Sequence, residues 1–113
     1  MTSDRNDTKR VLDDLESIRR SAERIVSKGK DAYFDPDDDI LRRAARSVVI
    51  DFSSAVDSLG EDVKEHHPDI PWRAIRGARN VVARQDQDVQ DDLIWSMLSS
   101  SLPDVVRRLC GAG

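Results

Sequence analysis

Three sets of residues in this chain have side chains that could do chemistry on their own. Cys110 is the sole cysteine. A thiolate nucleophile needs a neighbouring base or cation to lower its pKa. Leu109-Cys110-Gly111-Ala112-Gly113 offers no histidine or acid, so Cys110 reads as a packing residue. His66 and His67 form the second set. Adjacent side chains project apart and the sequence holds no second ligand cluster, so the metal reading yields to a plain connector at His66-His67-Pro68. The third set is Asp37-Asp38-Asp39. Consecutive aspartates point in different directions on a helix, whereas at a helix start the macrodipole favours their charge. No metal ligand set and no cofactor is expected.

The elements that must position these groups are helices. At 113 residues the chain is one domain's worth, residues 1–113, with enough length for a single core. It is 38% hydrophobic and 35% charged, with four prolines and five glycines. These punctuate periodic segments or sit at the C-terminus, a distribution that suits helices better than strands and turns. The net charge of −4 argues against non-specific nucleic-acid binding as the main activity, though a local basic site is compatible with it. A lone cysteine excludes an intramolecular disulfide and fits a reducing cytosol. MTSDRNDTKR has no apolar core of a signal peptide, and no stretch approaches the roughly 20 apolar residues of a membrane span. The sequence therefore predicts a cytoplasmic protein with no membrane association.

Val11, Leu12, Leu15, Ile18, Ala22, Ile25 and Val26 form a stripe that predicts a first helix from within residues 4–8 to about Ser27, ended by Gly29. Asp31 to Asp39 reads as a loop anchored by Tyr33 and Phe34. A long second helix runs from about Asp38 to Leu59, with its seam at Leu41, Ala45, Val48, Phe52, Ala55 and Leu59. Ile40, Ala44 and Val49 widen that seam. One or two further turns follow over Glu61–His66. Ile70-Pro71-Trp72 opens a third major helix through Ile75, Ala78, Val81 and Val82. After the polar stretch Gln85–Gln90, a last helix carries Leu93, Ile94, Met97 and Leu98, restarts at Pro103 and continues through Val105, Val106 and Leu109. The expected fold is all-α: an antiparallel four-helix up-and-down bundle with short extra helical turns. The wide apolar faces also predict a C₂ homodimer.

One series of residues is more specific than any of these patterns. Pro71-Trp72, Ile75, Arg79-Asn80 with a hydrophobic pair after it, Trp95 and Leu102-Pro103 fall in order over residues 68–109. Phe34 in the first loop, and Ala55 and Leu59 late in the long helix, extend it. The series resembles the HepT-like family of HEPN proteins over nearly the whole chain. The resemblance implies a four-helix HEPN domain, a symmetric dimer with its cleft between protomers, and a small nucleotidyltransferase as partner in a toxin–antitoxin pair. Active members are metal-independent RNA endonucleases with the signature Arg-x-x-x-x-His-x-Tyr, and the partner silences them by adenylylating that tyrosine.

Laid on this signature, Arg79 is the motif arginine and Asn80 the polar residue after it. The histidine position holds Arg84 and the tyrosine position Asp86, and no histidine follows residue 67. Where the family often has Gly-Glu before an alanine, the long helix has Ser53-Ser54-Ala55. Histidine suits the two proton transfers of RNA cleavage because its pKa of roughly 6.5 lies near working pH. Arginine stays protonated and cannot be the base. Arg84 can still hold phosphate alongside Arg79. Asp86 is the one titratable group left in the motif, and a pKa of roughly 3.9 makes it a weak base. It has no hydroxyl to accept AMP.

A blander arrangement is a local ion pair of Arg84 with Asp86, worth under about 1 kcal/mol, or an alignment of Arg79 with Asp86 two turns on. Three functions follow from the sequence. The favoured one is a divergent HepT-like protein without the usual ribonuclease mechanism, which binds RNA, a nucleotide or a nucleotidyltransferase. The alternatives are an RNA endonuclease toxin with a divergent site, for which Arg79, Asn80 and Asp86 are the catalytic candidates, and a purely structural dimerisation module.

Overall fold

A computed structural model describes residues 2–83 and 87–111. Helix α1 spans Thr2–Ser27, α2 Lys30–Tyr33, α3 Ile40–Asp57, α4 Glu61–His66, α5 Trp72–Ala83 and α6 Gln87–Ser96. A π turn over Met97–Ser101 joins α6 to α7, Leu102–Leu109. The described residues include no strand. The α1 helix packs on α3 and α7, and α3 packs on α5 and α6, which gives a helical bundle measuring 50 × 25 × 23 Å. With 26 residues, α1 is about 39 Å long and spans most of the long axis.

The apolar stripes account for this packing. Leu15, Ala22 and Ile25 of α1 are buried, as are Ala45, Val49, Phe52 and Val56 of α3, Ile75 and Ala78 of α5, and Ile94 of α6. Gly29 ends the first helix as expected: its φ is +91°, where a side chain would be strained, and its N–H donates to the Val26 carbonyl.

Four details depart from the sequence reading. The first helix begins at Thr2, ahead of the expected window, a shift within the usual uncertainty of helix ends. The segment after Gly29 contains one helical turn, α2, which lifts Tyr33 into the core at 0% exposure. Ile40 and Ala44 face solvent, because the α3 face that meets α5 and α6 runs through Ala45, Val49, Phe52, Ser53 and Val56. Leu93 is also outward, 49% exposed, while its neighbour Ile94 is buried.

The π turn has an identifiable cause. Pro103 has no N–H to donate to the carbonyl four residues back, and the Leu102 N–H instead reaches the Met97 carbonyl, five residues back. The wider turn keeps Ile94, Leu98, Leu102 and Val106, each four residues apart, in the core together.

Candidate functional site

The site expected from the sequence lies on α5, and its placement follows from how that helix is held. Pro71 precedes the first turn, and its carbonyl accepts the Ile75 N–H. The Trp72 indole N–H donates to the His67 carbonyl at 3.0 Å, fixing the angle at which the chain enters the helix. Ile75 and Ala78 face the core. Buried Ser53 donates its hydroxyl to the Ile75 carbonyl at 2.8 Å, tying α3 to α5. The opposite face carries Arg73, Arg76, Arg79 and Asn80, all exposed. No acidic residue occurs anywhere in α5. Arg76 pairs with Asp57 of α3 at 2.8 Å. Arg73 and Arg79 form no ion pair with a described residue. Arg79 and Asn80 therefore stand in solvent on a locally basic surface, although the chain as a whole is acidic. Arg84 and Asp86, with the ion pairs expected of them, lie outside the described residues.

Just beyond those residues, the start of α6 is clamped by a cluster that sequence reasoning missed. Asp91 is 7% exposed and pairs with Arg46 at 3.0 Å and with Arg42 at 3.8 Å. Arg42 also donates to the carbonyls of Tyr33 and Asp35, at 2.7 and 2.8 Å. The Tyr33 hydroxyl donates to the Asp91 carbonyl. Burial, with the Asp91 charge second, pushes the Tyr33 phenol well above its ordinary range. A buried charge must be paired, and here one carboxylate serves two arginines while Arg46 Nε has no hydrogen-bond partner among the described residues. The signal was present: residues 42, 46, 49, 53 and 56 recur at helical spacing along one face of α3. Arginine at the first two positions disguised that face as solvent-exposed.

The profile of the family described as "Ribonuclease HepT-like" matches residues 12–110. The chain belongs to the ribonuclease HepT-like family. A relative named "Putative RNase TTE0752", from Caldanaerobacter subterraneus subsp. tengcongensis, is 28% identical over 98 residues, covering 84% of this chain and 87% of that protein. No solved structure matches the chain.

Within the HepT-like fold, the residues that carried the resemblance divide into framework and surface. Phe34 meets Tyr33 edge-on at a centroid distance of 4.7 Å, and Trp95 lies 4.9 Å from Tyr33. Leu59, Ile75, Leu102 and Pro103 are buried. These are packing residues, whereas Arg79 and Asn80 are not. Ser53, at the position where the family often has glycine, is part of the α3–α5 contact, and Ser54 is exposed.

The other chemical candidates have structural roles. His66 is exposed with Nδ1 against the Asp62 carbonyl, and His67 supplies the carbonyl for Trp72. Among the described residues no three His, Cys, Asp or Glu side chains form a metal-holding group. Asp38 accepts the Ile40 N–H at the start of α3, and the Arg43 guanidinium holds the Asp39 carboxyl below its usual range. Cys110 is half-buried with its thiol directed at the Leu12 carbonyl, 3.7 Å away. Burial, with the Glu16 carboxylate beside it, pushes that thiol up to about 11, so it is not a nucleophile near neutral pH. No helix among the described residues is long and apolar enough to cross a membrane.

Proposed function

We propose that residues 1–113 form one HEPN-like domain of a toxin–antitoxin type system that has lost the usual metal-independent ribonuclease mechanism and acts by holding RNA. The observation that carries this reading is the solvent face of α5. It presents Arg79 and Asn80 beside Arg73 and Arg76 with no acidic residue in the helix, while the positions of the family's histidine and tyrosine hold Arg84 and Asp86. Guanidinium groups suit phosphate recognition. Without histidine, general acid–base catalysis, typically worth 10²–10⁴-fold or so, is missing. Loss of the tyrosine hydroxyl removes the group through which relatives are silenced, and a chain without toxic activity needs no such silencing. A small nucleotidyltransferase remains a partner by binding, without AMP transfer to residue 86. The protein acts as a homodimer in the cytoplasm, its motif helices facing one cleft.

Labelled single-stranded RNA titrated against the wild type and the Arg79→Ala, Arg84→Ala double variant tests this. Binding by the wild type, lost in the variant and without cleavage, is the expected result. Equal and negligible affinity for both removes RNA holding and leaves partnership with the nucleotidyltransferase.

A second reading, an RNA endonuclease with a divergent site built on Arg79, Asn80 and Asp86, is favoured by the RNase name of the relative. Cleavage of RNA by the purified wild type, abolished by Asp86→Asn, would establish it.

A further inference from the structure

A cleft of about 210 Å³ opens between α3, α4 and the first turns of α5, outside the motif segment. Trp72 and Val56 form its apolar wall, and Lys64, Arg73 and Arg76 bring three cations to it against the carboxylates of Asp57 and Glu61. Asp57 is already engaged by Arg76 at 2.8 Å. Lys64 and Arg73 form no ion pair with a described residue, so the cleft keeps a positive excess in a chain whose net charge is −4.

Its size and lining narrow the ligand class. Pockets for drug-sized molecules run from roughly 300 to 1,000 Å³, so this one admits a single planar ring system and not a whole nucleotide. An aromatic wall with a cationic rim suits a nucleobase whose phosphate stays outside: every base has a π-face to stack, and lysine and arginine meet the phosphate. The indole is held in place beforehand, since its N–H is satisfied by the His67 carbonyl and its ring packs against the core. It therefore needs no polar partner from a ligand. Position also favours this reading. Arg73 lies on the exposed side of α5 with Arg79, six residues or about 9 Å along the axis, so a strand anchored at Arg79 reaches the cleft.

We propose that this cleft is a base subsite for single-stranded RNA, in which one unpaired base lies against Trp72 and the adjoining phosphate is held by Lys64 and Arg73. The proposal rests on the RNA-holding reading of Arg79, extends the contact by about 9 Å along α5, and assigns Trp72 a role besides packing.

The test uses a Trp95→Phe variant, which leaves Trp72 as the sole tryptophan, titrated with a short uridine-rich single-stranded RNA and with a duplex of equal length. The expected result is quenching of Trp72 emission by the single strand and not by the duplex. Lys64→Ala with Arg73→Ala should weaken binding about tenfold and lower the slope of log affinity against log salt by about 0.7, the contribution of one phosphate on a single strand. Should Trp95→Phe fail to fold, the wild type compared with Trp72→Phe gives the same reading, with the quench lost in the variant. RNA binding that depends on Arg79 but leaves Trp72 emission and the Lys64/Arg73 pair without effect overturns the subsite alone. Equal quenching by duplex also overturns it. Absence of any binding by the wild type overturns both readings together.

Discussion

At the residue scale, the proposed loss of the ribonuclease mechanism rests on Arg84 and Asp86. If the rest of the HepT-like site is intact, Arg84→His with Asp86→Tyr restores a proton-transfer group. RNA cleavage should then rise by about 10²–10⁴-fold over the wild type in a gel assay, and no gain would count against the proposed role of these two positions. Ser53 gives a stability test. Ser53→Ala removes the hydroxyl that reaches the Ile75 carbonyl, and chemical denaturation should show a loss of about 1 kcal/mol. Cys110 gives a pH test. Its thiol is raised from an ordinary value of 9.0 to about 11, so the unfolded chain ionises first. The stability this thiol contributes is whole below pH 9 and is lost as pH rises through 11. Alkylation rates should accordingly have their midpoint near 11, and a midpoint near 9 would contradict the burial of the thiol.

At the element scale, the helices were legible because their apolar residues recur at helical spacing and because glycine and proline sit at their ends. Gly29 and Pro71 each mark a boundary in the structure as they do in the sequence. The candidate site was legible only in part: Arg79 and Asn80 could be placed on an exposed helix, but Arg84 and Asp86 lie outside the described residues. What stayed hidden depended on partners far apart in sequence. Asp91 looks like any surface aspartate until α3 brings Arg42 and Arg46 to it across 45 residues and more. Ile40 and Leu93 look like seam residues until the neighbouring helices choose a different face. Asp91→Ala should lower stability by about 2–3 kcal/mol in a denaturant melt by leaving two half-buried arginines without a counter-charge. The cost is moderated because Arg46 keeps 23% of its side chain in solvent. A change within about 0.5 kcal/mol would mean the cluster is not a clamp.

At the scale of the whole molecule, charge and apolar surface are unevenly shared. An overall −4 coexists with an α5 that carries three arginines and no acidic residue, so positive charge is concentrated on one helix of an acidic chain. Ile40, Ile50 and Leu93 are 68, 41 and 49% exposed. If the HepT-like dimer covers the last two, sedimentation at micromolar concentration should give a dimer for the wild type. Ile50→Lys with Leu93→Lys should give a monomer of unchanged helicity. A wild-type monomer would remove the cleft between protomers from the functional reading.

The π turn at Met97–Ser101 sets a different kind of constraint, on length and not on composition. Ser99, Ser100 and Ser101 are exposed, and their identities are free to vary. Their number is tied to Pro103. A π turn holds one residue more than an α turn, so removing one serine would leave regular helix with Leu102, Val105, Val106 and Leu109 still turned to the core. The proline ring would then clash with the carbonyl four residues back. Among descendants of this chain, the serine triplet should therefore accumulate substitutions freely and lose a residue only where Pro103 is lost as well.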